Sequence, residues 1–152
     1  MSKLTVNEAN GDFTHVAKLT FEDLQSIGNG GTSVLFRIPA GAAIDLCGVV
    51  NSVDIVGSSS LVLDVGTTLA DPNEFIKDLD VDGMTIFAPT FNTGTDFIQG
   101  SGDTTIKGGS LPVAGASAET KVYVKVTDAA IASITEGEVV IGLRMIDLSR
   151  FM

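Results

Sequence analysis

At 152 residues the chain is long enough for one domain that buries about two thirds of its unfolded surface without help from disulfides or metals. Nineteen acidic against nine basic residues give a net charge of −10, which repels phosphate backbones and anionic lipid and argues against nucleic acid or a membrane surface as partner. Only 18% of residues are charged while 44% are hydrophobic, so there is apolar surface to place, either in a well-filled core or between subunits.

The single Cys47 rules out an internal disulfide. The first residues lack a basic stretch followed by an apolar one, and no run approaches the ~20 apolar residues of a membrane span. The expectation is a protein made in the cytoplasm, with residues 1–12 as an N-terminal arm and 13–152 as a single β-sandwich domain.

In chain order, residues 13–21 alternate and form the first predicted strand, with Phe13, His15, Ala17, Leu19 and Phe21 on one face. His15 has no second His and no Cys cluster near it in sequence, so it reads as a hydrogen-bonded structural imidazole rather than a metal ligand. Residues 22–27 fit one helical turn, stopped by Gly28-Asn29-Gly30-Gly31. Those glycines match neither GxGxxG nor a P-loop, and a strand over 32–38 follows them where a phosphate cradle needs a helix. The Gly100-Ser101-Gly102 stretch fails likewise, with Thr105 where a third glycine is required.

Pro39-Ala40-Gly41 is a turn, and residues 44–56 form a long strand expected to bend or bulge near Gly48. Cys47 within it reads as a small buried hydrophobe, since a catalytic thiolate wants a base beside it. Gly57-Ser58-Ser59-Ser60 then turns the chain into a strand over 61–66, which predicts a hairpin. Asp71-Pro72-Asn73-Glu74 has the signature of a helix start, giving a short helix over 72–77.

Asp78, Asp80 and Asp82, followed by Gly83, copy the opening of a calcium loop. The twelfth position is Pro89, which cannot supply the closing carboxylate, so a solvated strand edge ending in an Asp-Gly turn is the better account. Residues 84–87 read as a strand. From 91 to 120 glycines accumulate and regular structure thins to a short strand at 104–107, the rest being loop of the kind that often makes contacts.

The two clearest strands close the chain. Val122, Val124 and Val126 share one face of 121–126, while Lys121, Tyr123 and Lys125 share the other. In 138–148 the odd positions Val139, Ile141, Leu143 and Met145 are continuously apolar. A single helical turn over 128–135 would join them, and two strands so close in sequence are expected to pair antiparallel. Every clear apolar period is two, so the fold class is all-β: an antiparallel β-sandwich, jelly-roll-like, with one or two short helices.

Taken in order, LTFEDL at 19–24, RIPAGA at 37–42, LVLDVG at 61–66, ADPNEF at 70–75 and the closing strand pair resemble small virion structural proteins of tailed bacteriophages, of the type that decorates or cements the capsid. The resemblance spans residues 13 to about 148 and rests on turn and strand signatures. It implies a non-enzymatic jelly-roll or sandwich oligomer, often a homotrimer, on the capsid surface of the virion, with the major capsid protein as partner. It carries over no catalytic, cofactor-binding or metal residues and no cofactor. A head, neck or tail fibre component is the alternative. A carbohydrate-binding β-sandwich module is the second, weakened because sugars stack on exposed aromatics and this chain has no Trp and one Tyr. A hydrolase would need a base beside a nucleophile, and one His without GxSxG or HExxH offers neither.

Overall fold

The computed structural model of the chain describes residues 2–5, 13–82, 86–87, 98–99 and 118–147. The expected strand at 104–107, the Gly100-Ser101-Gly102 stretch and Pro89 lie outside them, as does the Cys47 side chain.

Among the described residues ten strands make two sheets. They are β1 (Ser2–Thr5), β2 (His15–Thr20), β3 (Gly31–Ile38), β4 (Ala42–Val56), β5 (Val62–Gly66), β6 (Ile76–Asp80), β7 (Ile86–Phe87), β8 (Ile98–Gln99), β9 (Thr120–Thr127) and β10 (Glu136–Asp147). The first sheet runs β1-β2-β10-β4-β7 and the second β3-β9-β5-β6-β8. Neighbours are antiparallel throughout, apart from the short parallel contact of β6 with β8. The chain is an all-β sandwich.

The alternation read in the sequence places the core. Val122, Val124 and Val126 of β9 are fully buried and face Val139, Ile141 and Leu143 of β10 across the sandwich, with Leu19, Leu63, Val65 and Val49 completing the layers. Each such aliphatic side chain contributes about 1.5–3 kcal/mol on burial, so these interdigitated rows hold the two sheets face to face.

One short helix, α1 (Phe21–Ile27), follows β2 directly. Its N-terminus is closed by a reciprocal capping box: Thr20 Oγ1 accepts from the Asp23 N–H, and the Asp23 carboxylate accepts from the Thr20 N–H at 3.1 Å. Gly28, at φ +81°, ends the helix and donates its N–H to Leu24 O. Leu24 plugs one end of the core, and Gln25 Nε2 donates to Ile134 O at 2.7 Å, tying the helix to the β9–β10 connection.

Three sequence expectations are corrected here. The strands over 121–126 and 138–148 do not pair with each other. β9 lies between β3 and β5, β10 between β2 and β4, so both have their edges occupied and only their apolar faces meet. Residues 128–135, with a single 3-10 turn at Ile131–Ser133, carry the chain across the gap between sheets. Nor is Gly57-Ser58-Ser59-Ser60 a hairpin turn, because β4 and β5 belong to different sheets. Gly57, at φ +93°, is pressed so closely on Ser133 O that a Cβ would lie 2.2 Å from it.

As expected, β4 bulges near Gly48: its register with β10 slips at Asp45, between the pairs of Arg144 and Met145, and again between those of Glu136 and Val139, while Gly48 itself stands in regular register opposite Gly142. The helix over 72–77 is absent. Phe75 N–H donates to Val65 O and Ile76 enters β6, so the β5 ladder captures the residues the helix would have used.

Candidate interaction surfaces

The residues singled out by sequence are not gathered into one site. His15 is half-buried, its Nδ1 2.9 Å from Thr14 Oγ1 and its ring edge-on to Phe36 at 5.9 Å, with burial holding its pKa below the ordinary value. The glycine turn spends its amides on backbone: Gly30 N–H donates to Val126 O and Gly31 N–H to Gly28 O. Asp78 and Asp80 are exposed, whereas Asp82 accepts from Ser58 Oγ at 2.7 Å. Among the described residues no group of three or more His, Cys, Asp or Glu side chains is arranged to hold a metal ion, and no helix is long and apolar enough to cross a membrane.

The outer face of the second sheet is charged and partly covered. Lys121, Tyr123 and Lys125 stand on it, and Arg37 pairs with Glu119 at 2.6 Å along its rim. Residues 67–75 fold back over β5 as a strap. The Glu74 carboxylate accepts from the Thr67 N–H at 2.7 Å and from the Thr68 hydroxyl, and Asp71 reaches Lys125 at 3.4 Å. Gly66 makes this approach possible, since a Cβ there would lie 2.7 Å from both the Asn73 and Glu74 nitrogens.

Beside the strap is Asp64, a buried carboxylate that faces Lys125 in the ladder. β6 carries one extra residue opposite it, and Asp78 takes up the bulge in the left-handed region at φ +51°. The Asp78 N–H, which the ladder no longer serves, donates to Asp64 Oδ1 at 2.7 Å. Burial raises the Asp64 pKa above the ordinary carboxyl value; the charges of Asp78 and Asp71 act in the same direction, against the Asp78 N–H and Lys125.

The outer face of the first sheet has the opposite character. Its ladder rows read Thr20–Glu138–Val53, Lys18–Val140–Val50 and Val16–Gly142–Gly48 across β2, β10 and β4. Val50 and Val53 are each 38% exposed and Val56 45%. The paired glycines form a flat seat for the Phe13 ring: a Cβ on Gly48 would lie 2.6 Å from the ring and one on Gly142 2.8 Å. Lys18 and Glu138 pair in this field, and Ser52 Oγ donates to Glu138 at 2.6 Å. Lys18 and Ser52 hold the Glu138 carboxyl below its usual range despite some burial.

This apolar face was missed in reading β10, where the odd positions drew attention and Val140 among the even ones did not. The signal was there in Val49-Val50 and Val53, since a strand apolar on both faces has a second surface to cover.

Asp128 organises one edge of the sandwich. It is buried and accepts from Ser59 Oγ, the Ser59 N–H and the Ala130 N–H at 2.8 Å, while its own N–H donates to Asn29 Oδ1. Burial pushes its carboxyl up, and these hydrogen bonds outweigh that and hold it below the usual range. Asn51, also buried, donates Nδ2 to Val81 O at 3.0 Å and leaves Oδ1 without a hydrogen-bond partner among the described residues.

No family model, curated protein or solved structure matches the chain.

Proposed function

We propose that this chain is a non-enzymatic virion assembly protein: a jelly-roll sandwich that sits on the outer surface of a bacteriophage capsid and reinforces contacts between shell subunits. The observation that carries the reading is strand order. β2-β10-β4-β7 packs against β3-β9-β5-β6, which supports two interleaved Greek keys in eight strands, the plan shared by viral shell domains, lectins and cupins. Fold alone does not choose among these. The choice rests on the resemblance of residues 19–24, 37–42, 61–66 and 70–75 to capsid-decorating proteins and on the net charge of −10, which disfavours contact with packaged DNA.

Rigidity suits such a role. A decorating protein spreads load between neighbours, and a strapped, doubly packed sandwich presents fixed faces with little ordering entropy left to lose on binding. The test is copy number in purified particles. Abundance approaching that of the shell protein is the expected result; a few copies per particle would move the chain to the head, neck or tail fibre, and absence from particles would overturn the reading.

A further inference from the structure

We propose that the outer face of the first sheet, centred on Val50, Val53 and Val140, is the surface through which two copies of this chain meet. This deepens the reading of an oligomeric assembly protein, and it concerns contacts between copies rather than contacts with a shell.

Three observations converge. Composition demands a place for surplus apolar surface, with 44% hydrophobic against 18% charged residues. The structure puts Val50, Val53 and Val56 in the open on one continuous sheet face, next to Val140 and the Phe13 ring on its glycine seat. Exposed valines in adjacent rows of a sheet are a patch, unlike single apolar residues scattered over a surface.

Charge then selects the occupant. In the ladder rows of this face the charged residues are Lys18 and Arg144 against Glu136, which stands opposite Val56, and Glu138, two of each sign, and Lys18 pairs with Glu138. The remaining seven basic and seventeen acidic residues carry the whole net charge of −10. Two copies therefore repel one another least here, where an electrically neutral field around the valines holds two cations and two anions that an identical face can match sign for sign. The outer face of the second sheet offers no such apolar field, because charge runs across its strands, with Arg37 on β3, Lys121 and Lys125 on β9 and Asp64 and Asp80 on β5 and β6, and the strap lies over part of it.

The test is mass in solution by light scattering across a concentration series, for the wild type and for Val50→Lys, with Val50→Thr as a milder change of the same shape. Val50 is exposed enough for either variant to keep its far-UV circular dichroism, which is recorded alongside. The expected result is an oligomer in the wild type, weakened roughly a hundredfold or more by a lysine in the apolar contact, with threonine between the two. Leu69→Lys, on the strap of the other sheet, should leave the mass unchanged. A wild-type protein that stays a single chain at tens of micromolar overturns the proposal, and so does an oligomer that Val50→Lys leaves intact. If the wild type is a single chain and Val50→Lys loses binding to particles, the face belongs to the shell protein, the proposal falls and the virion reading stands.

Discussion

The two outer faces of the sandwich are closed by different means. Over β5 the cover is backbone: the strap at 67–75 lies on Gly66, latched by Glu74 to Thr67 and Thr68 and by Asp71 to Lys125. Over β10 and β4 the cover among the described residues is one side chain, the Phe13 ring on Gly48 and Gly142, and the valines beside it are exposed. A face closed by its own chain is finished in the monomer, whereas a face closed by one ring and neighboured by exposed valines still has surface to bury. That difference separates a finished surface from one with apolar area still open to solvent, although both are built from the same kind of strand.

Alanine at the two glycine seats should expose the contrast, and with the largest effect. In Gly66→Ala the new methyl meets the Glu74 carboxylate and the amides of Asn73 and Glu74, so the strap itself has to lift. The expected loss is about 3 kcal/mol, or roughly 6–12 °C in Tm for a domain of this size. In Gly142→Ala the methyl meets only the half-buried ring of Phe13, which can tilt away, and the loss should be about 1 kcal/mol. Thermal melts that rank the two the other way would show that Phe13, and not the strap, is the firmer cover.

The same contrast marks how far the sequence could be read. Alternation in 121–126 and 138–148 correctly assigned which side of each strand is buried, because a period of two specifies a face. It says nothing about which strand lies alongside, and so β9 and β10 were expected to pair when they belong to opposite sheets. Two helix-start signatures make a sharper case. Thr20 and Asp23 close their capping box because α1 has Leu24 to bury and Gly28 to end on. Asp71 and Glu74 carry a comparable signature and start no helix. Glu74 finds the donors of Thr67 and Thr68, and Phe75 is drawn into the core by the β5 ladder. Local propensity at 71–77 was outbid by burial whose partners are not local. The exposed apolar face was legible in Val50 and Val53 but not its glycine seat, since nothing in residues 48 and 142 alone says that an aromatic ring will bridge them.

Beside the strap, Asp64 gives a smaller effect and one of opposite sign. Its pKa is raised in the folded state, chiefly by burial, so the ionised form is the one the fold disfavours. A carboxyl whose folded pKa lies above its unfolded value costs stability at neutral pH, and that cost disappears as pH falls through the folded pKa. Asn keeps an oxygen to accept the Asp78 N–H without the charge. Asp64→Asn should therefore raise Tm at neutral pH by a few degrees at most, with the gain shrinking to nothing in acid where Asp64 is itself protonated. A variant less stable than wild type at neutral pH would mean that the attraction of Lys125 outweighs the burial cost.

On the apolar face the corresponding carboxylate should behave in the reverse sense. Glu138 is held below its usual pKa by Lys18 and Ser52, so its contribution is present above the unfolded carboxyl value and is lost as pH falls through the lower folded one. The pair is only partly shielded, with Lys18 open to solvent, and a pair of this kind contributes about 0.5 kcal/mol. Glu138→Gln should accordingly cost little in the monomer, a degree or two in Tm at low salt by the scaling for a domain of this size, and still less at high salt, where screening has already weakened the pair. Association between copies should suffer more than folding does. Removing Glu138 leaves one cation in excess on the face proposed to meet its own image, so two such faces would approach with a net positive charge on each. A fall in oligomer stability larger than the fall in Tm is the expected signature. Equal small losses in both would show that the pair serves the fold of one chain and takes no part in bringing two together.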